Sequence, residues 1–465
     1  MSASVLFICE KYYLRFYRPL AARLARCGIR PIWIALDGWD EWDHDSLDPT
    51  PAVATLVDAS DVGCRTDIDA LCAFERAVFA RPELFRANYP YTLNVVGSLE
   101  RAKPLADAWH RLTTALLARF SPHAVFLWNG RYLPYRAVSA ACEAARQLVL
   151  TSEIGWIPGT IFVDRGALTT NTTDLFGRRF DDNPSTELGR ADAFLDEYTA
   201  RKATMVAQTL VPPSQVRQRV SADNEHCFLL LYGCQVDWDT NIVLGATRFR
   251  TNEAAVGFLM KCLAPIHDAH LIVKTHPLDS HQDHDRLREI IGDRGSIVSD
   301  VHPHALIEAA DCVAVRNSTL GFEALCYGKP VLALEDAKYR HPRLTLEAAD
   351  VADGTNVLRS VSNRMCRLPD PVVLRQFVLH LLDHYLMPVR YAYHFEPAKL
   401  ALLAHLERSE AFTKLEHLLT QVAPSVISSR DDAAAQALDE CQYRHASSSR
   451  SFLRHVRRLA QWMSS

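Results

Sequence analysis

Short apolar runs alternate with segments of helical periodicity, stop, and then start again. That grammar limits this chain more than anything else in it. "SVLFIC" reads as a short buried strand. "FYRPLAARLARCG" repeats apolar residues at Phe16, Leu20 and Leu24 and ends at Gly28, a residue suited to a helix C-cap. "IRPIWIALD" is a second strand, followed by the acidic loop "GWDEWDHDSLDP". Further on, "HAVFLWNG", "RAVSAACEAARQ" and "LVLTSEIGW" repeat strand, helix, strand. Strands buried on both faces and separated by helices predict an α/β protein with a parallel sheet covered by helices.

The pattern breaks at the polar stretch "TLVPPSQVRQRVSADNEH" and then restarts. "CFLLLYG", "AHLIVKTHP", "DCVAVRN" and "PVLALED" read as strands, with helices at 252–267, "DHDRLREIIGD" and "TLGFEALCYG" between them. The expected organisation is two Rossmann-like doubly wound domains, 1–215 and 222–390, facing a central cleft. A remainder at 391–465 reads as helical from "DHYLMPVRYAYHF" onward. In such folds ligands bind where the strands' carboxyl ends meet the cleft.

The 465 residues suit two to three domains, and 48% hydrophobic with 23% charged residues describes an ordinary globular composition. A net charge of −4 argues against a nucleic-acid binder, which needs a basic stripe. No apolar run reaches the roughly 20 residues of a membrane span. The N-terminus lacks the basic and cleavage regions of a signal peptide, so a cytoplasmic protein is expected. The 12 cysteines are scattered, several within apolar patterns (Cys9, Cys27, Cys312, Cys326), and read as buried reduced thiols.

Candidate chemistry sits at the strand ends. In "VAVRNSTLGFEALCYGKPVLAL" an apolar strand stops at Asn317, Ser318 and Thr319 before a helix. Such a turn offers free backbone N–H groups and the positive end of a helix dipole to a phosphate, with Glu323 one turn on for a ribose hydroxyl. The same residues also suit a plain N-cap. "LIVKTHP" brings Lys274 and His276 to a neighbouring strand end, as a charge and a hydrogen-bond donor for a phosphate. "YGCQVDWD" offers Gln235, Asp237 and Asp239, where a carboxylate in a cleft can serve as nucleophile or base. "TSEIGW" sets Glu153 at the cleft end of a first-domain strand for general acid/base work or acceptor binding, Asn129 and Arg131 follow another strand, and these two with Gln235 are candidate sugar or acceptor contacts.

Taken in order, the segments "FYRPLAARLARCG", "FLWNGRYLPYRAVSAACEAAR", "SEIGW", "GCQVDWD", "THP" and "RNSTLGFEALCYGKPVLAL" resemble the bacterial capsular polysaccharide biosynthesis family that includes the β-Kdo transferases. The resemblance implies a GT-B-like transferase that moves Kdo, with retention, from CMP-Kdo to a lipid-linked or glycan acceptor. It makes Asp239, four residues after Gln235, the nucleophile, and assigns His276, Ser318 and Thr319 to the nucleotide. Helix N-termini and a histidine can stabilise the departing nucleotide, so no metal or other cofactor is expected. The chain departs from that pattern where Gly-Pro and Arg-Pro are usual, reading Glu10-Lys11 and Ile157-Pro158-Gly159. A polyol-phosphate transferase of the teichoic-acid type and a catalytically inactive nucleotide-binding scaffold are the alternatives.

"SHQDHD" (His281, Asp283, His284, Asp285) reads as an acidic helix start rather than a metal site. Trp39 and Trp42 can stack on a sugar, or simply belong to a surface loop. At the C-terminus, Phe452, Val456, Leu459 and Met463 share one helical face, with Arg450, Arg454, Arg457 and Arg458 elsewhere. Residues 450–463 thus suit either an anionic membrane surface or a helix docked on the protein itself.

Overall fold

The computed structural model describes residues 3–8, 14–35, 55–58, 99–130, 135–165, 187–202, 208–220, 227–237, 239–243, 245–277, 279, 283–389 and 402–421. It contains the two sheets that the alternation predicts. The first has seven strands: β1 (Ser4–Ile8), β2 (Arg30–Ala35), β3 (Thr55–Asp58), β4 (Ala124–Trp128), β5 (Val149–Ile154), β6 (Thr160–Arg165) and β12 (Met387–Pro388). Their order is β12-β6-β5-β4-β1-β2-β3. The run from β5 to β3 is parallel, whereas β6 lies antiparallel to β5 and β12 antiparallel to β6. The second sheet holds β7 (Phe228–Gly233), β8 (Ala269–Lys274), β9 (Gly295–Val298), β10 (Cys312–Val315) and β11 (Val331–Ala333). It is parallel throughout, in the order β11-β10-β7-β8-β9.

Strands that are buried on both faces cannot alternate apolar with polar residues, and β1, β4 and β7 are buried at every position. The first core gathers Phe7, Trp33 and Phe126 in stacked contact, with ring centroids of Phe7 and Trp33 4.5 Å apart. The second sheet is packed on both sides: Leu230, Tyr232 and Val273 face one cluster, and Leu229, Leu231 and Val313 the other.

The second of those clusters also takes residues from the first sheet. Ile157 and Phe162, around the β5–β6 turn, share it with Phe322, Tyr339 and Phe377, and the Trp156 ring lies 5.1 Å from Phe322 and 5.6 Å from Tyr339. The helix Leu188–Arg201, from the first half of the chain, contributes Ala191, Phe194 and Tyr198 to it. The two sheets are therefore joined by a common apolar seam.

Four strands were not read from the sequence: β3 and β9 have four residues each, β6 lies next to glycines, and β12 is two residues long. β12 also corrects the expectation of helix from residue 383 onward. After a π-helical turn at Leu381–Tyr385 the chain returns to the first sheet, pairing Met387 with Ile161. Helix Ala411–Gln421 then places Ala411, Phe412, Leu415 and Leu419 in the first core, with the Arg23 guanidinium 3.7 Å from the centroid of the Phe412 ring. Cys312 and Cys326 are buried as expected, while Cys27 is exposed, because it follows the last turn of its helix. No helix among the described residues is long and apolar enough to cross a membrane.

Leu415 is completely buried within a core made by the opposite end of the chain. Leu415→Ala is expected to cost about 2–5 kcal/mol, read as a lower urea midpoint for the first core.

Candidate active site between two sheets

The carboxyl ends of β10, β7 and β8 are neighbours in the sheet, so the turns that follow them share one edge. What binds those turns together is a residue that sequence reasoning missed. Arg316, directly after β10, is fully buried. Its guanidinium donates to the Gln235 carbonyl at 3.0 Å and to Asn252 Oδ1 at 2.9 Å, and it lies 2.7 Å from Asp237 Oδ1. Asp237 is accordingly a structural counter-ion. Asn252 completes the knot: its Oδ1 accepts from Tyr232 and from the Gln235 N–H, and its Nδ2 donates back to the Gln235 carbonyl. The available sequence signal was a basic residue ending an apolar strand in "VAVRN", which few buried strands tolerate without a partner.

Gln235 and Asn317 then lock the β7 loop to the β10 turn. Gln235 Nε2 donates to Asn317 Oδ1 at 2.8 Å, and Gln235 Oε1 accepts from the Asn317 N–H at 3.1 Å. Asn317 Nδ2 reaches the Asn241 carbonyl at 3.3 Å, two residues past Asp239. Ser318 caps the helix Thr319–Cys326, accepting from the Leu320 N–H, so the N-cap reading of this turn holds alongside any ligand role. The Ser318 carbonyl accepts from the Tyr339 hydroxyl at 2.6 Å; a side-chain carbon at Gly321 would collide with that hydroxyl. Glu335, after β11, is a second missed anchor, accepting from the N–H groups of Thr247, Arg248 and Phe249.

Asp239 heads the four-residue helical turn Thr240–Val243, one carboxylate oxygen accepting from the Asn241 N–H at 2.7 Å. Burial raises its pKa, against the pull of the Asn241 N–H and the Arg316 charge. Glu153 comes from the other sheet, at the end of β5. Its Oε1 accepts from Asn129 Nδ2. Asn129 adopts φ +57° after β4, in an Asn-Gly turn where asparagine tolerates the left-handed region, and this aims its amide at β5. Burial, then the negative charge of Asp239, push the Glu153 carboxyl up to about 7, against the Asn129 hydrogen bond and the Lys338 ammonium. The two carboxylates are thus close enough for one to feel the other's charge, although 86 residues separate them in sequence.

Other expected site residues are placed differently. Lys274 Nζ is committed to the carbonyls of Thr275 and Ser299, and so braces the end of β8 against the loop after β9. His276 is on the same sheet edge; burial, with Lys274 nearby, lowers its pKa to about 4, so near neutral pH its ring is uncharged and can only donate or accept a hydrogen bond. Glu323 points into the helix layer, 3.9 Å from His304 Nε2, and burial raises it to about 7. Of the "SHQDHD" residues, Asp283 caps the helix His284–Ile291 and Asp285 pairs with Arg288, as an acidic helix start should. Arg131, Trp39, Trp42, His281 and the tail 450–463 lie outside the described residues.

Comparison with known proteins bears on the second half of the chain. Residues 190–361, from the helix beside the apolar seam through the helix that follows β11, match the family model "Capsule polysaccharide biosynthesis protein". The chain is 23% identical over 269 residues to Protein FixF of Sinorhizobium fredii, covering 57% of this chain and 60% of that protein's length. Among solved structures it is similar to Thermosulfurimonas dismutans KpsC, beta Kdo 2,4 transferase (19% identity, 55% of this chain and 78% of that one, TM-score 0.39). It is also similar to the same organism's KpsC, beta Kdo 2,7 transferase (18% identity, 63% and 87%, TM-score 0.37).

Two outcomes follow from this geometry. Arg316→Ala removes the counter-charge of Asp237 and one donor from each of three backbone or amide acceptors; because Asp237 is 32% exposed, water offsets part of the loss, and about 2–3 kcal/mol of destabilisation is expected by denaturant titration. The raised Glu153 pKa means that stability present below pH 4.5 is lost as pH rises through about 7. Glu153→Gln, which removes that loss, is expected to raise Tm over wild type at pH 8 and to leave it nearly unchanged at pH 4.5.

Proposed function

We propose that the protein is a retaining glycosyltransferase of capsule or surface-polysaccharide assembly that moves Kdo or a related sugar from a CMP-linked donor to a lipid-linked or glycan acceptor. The observation that carries this reading is the pair Asp239 and Glu153. Two half-buried carboxylates, one at the end of β5 and one in the loop after β7, are held by different hydrogen bonds, and burial raises the pKa of both, that of Glu153 to about 7. A pair whose environments separate its acidities suits a nucleophile and an acid/base.

In the first displacement an Asp239 oxygen attacks the anomeric carbon, and the bond to the phosphate oxygen breaks with its electron pair leaving on CMP. The departing phosphate needs no proton. It would be received by the Asn317–Thr319 turn, where the helix Thr319–Cys326 presents its N-terminus, and by the uncharged His276 ring. In the second displacement the acceptor hydroxyl attacks the glycosyl-aspartate, gives its proton to Glu153, and releases the Asp239 carboxylate. Two inversions give net retention. Asn129 would hold the Glu153 carboxylate in the orientation for that proton. The family match of residues 190–361 supports the capsule assignment. A lipid-linked acceptor would bring the protein to the inner face of the cytoplasmic membrane.

Incubation with CMP-Kdo and intact-protein mass spectrometry test this scheme. Glu153→Gln is expected to accumulate one covalently bound sugar on Asp239, because the first step proceeds and the second stalls. Asp239→Ala is expected to lose turnover on the order of 10⁴-fold or more and to carry no adduct. Full activity in the Asp239→Ala protein would end the double-displacement mechanism.

A further inference from the structure

Lys338 lies outside every motif discussed so far, in the loop after β11. Its position follows from the sheet register. Glu153 and Phe162 are directly opposite each other across the antiparallel β5–β6 pair, so their side chains emerge on the same face. The Lys338 ammonium lies 5.6 Å from the centroid of the Phe162 ring and 5.0 Å from that of Tyr385, and it donates to the Tyr385 hydroxyl. The Phe162 and Tyr385 rings are themselves 4.7 Å apart. A cation thus rests on an aromatic floor beside Glu153. The next residue, Tyr339, ties the same loop to the Ser318 carbonyl. The loop that carries Lys338 thus touches the Asn317–Thr319 turn through Tyr339 and lays the Lys338 ammonium over the Phe162 ring, on the sheet face that also carries Glu153.

We infer that Lys338 selects the donor by pairing with a carboxylate carried on the anomeric carbon of the sugar. This deepens the function proposed above and rests on it. A donor with its phosphate at Asn317–Thr319 and its reacting carbon between Asp239 and Glu153 presents only the substituents of that carbon and its nearest neighbours to a group beside Glu153. Neutral hexoses offer hydroxyls there. A 2-keto-acid sugar offers an anion on the anomeric carbon itself, which an ammonium recognises through a charge-assisted hydrogen bond. Its attraction also offsets the repulsion between that carboxylate and the incoming Asp239 carboxylate, which would otherwise oppose the first displacement. The surrounding rings lower the local dielectric and strengthen the pair.

Steady-state kinetics with CMP-Kdo made in situ, and inhibition by CMP alone, separate the possibilities. Lys338→Met is expected to raise KM for CMP-Kdo about tenfold or more while leaving the inhibition constant of CMP within about twofold, and Lys338→Arg is expected to recover most of the loss. An unchanged KM in Lys338→Met overturns the inference. So does a parallel loss of CMP affinity, which would make Lys338 a contact of the nucleotide or a purely structural residue. A drop in kcat alone, with a shifted pH profile, would make it a positioning residue for Glu153 and overturn the inference equally. Should the wild-type protein bind CMP but transfer a neutral sugar, the carboxylate pairing falls and a transferase remains. A wild-type protein that binds neither CMP nor CMP-Kdo defeats both.

Discussion

Arg316 takes a guanidinium out of water, and that cost obliges the surrounding turns to converge on it. Isolated burial of such a charge is prohibitively expensive unless its donors are met. Here the Gln235 carbonyl, Asn252 Oδ1, the Phe249 carbonyl and the Asp237 carboxylate meet its two terminal nitrogens, while Nε is left without a partner, and these groups come from the β7 loop and the segment leading into the next helix. Once they are fixed, Gln235 is in position to lock Asn317, Asn317 to hold the chain beside Asp239, and Asp239 to face the other sheet. The second-sheet half of the candidate site thus stands on one buried cation rather than on the residues that would touch a ligand.

The second determinant is the apolar seam. Two separately packed α/β units would leave the distance between Glu153 and Asp239 to chance. Trp156, in the turn that follows Glu153, inserts among Phe322, Tyr339 and Phe377 of the second unit, and Phe322 belongs to the very helix that Ser318 caps. Burying these rings in a shared seam fixes the two sheets against each other, and desolvation, then the charge of Asp239, raises Glu153 toward neutrality. Packing sets the acidity, and the acidity sets what Glu153 can do near pH 7.

Much of the architecture was legible in the sequence. The twice-repeated strand–helix alternation, the fully buried strands β1, β4 and β7, and the cap at Ser318 all follow from local pattern, because burial on both faces and orphan N–H groups impose residue types position by position. Glu153, Asn129, Asp239, Gln235 and Asn317 were identifiable as polar residues at strand ends. Arg316, Glu335 and Lys338 were not, since nothing in a one-dimensional pattern says that a lone charged residue will find its partner tens of residues away. Lys274 shows the converse: a lysine at the right strand end turned its ammonium back onto two carbonyls of its own sheet.

By itself, then, the chain settled its fold class, the order of its core strands and the set of polar residues that end them. These depend on periodicity and on the few residues around each position. Tertiary structure alone decided which of those residues meet, that the segment after residue 386 returns to complete the first core, and that the Glu153 carboxyl is raised to about 7. Pairings of that kind depend on desolvation and on distances closed by packing. Both are properties of the assembled interior.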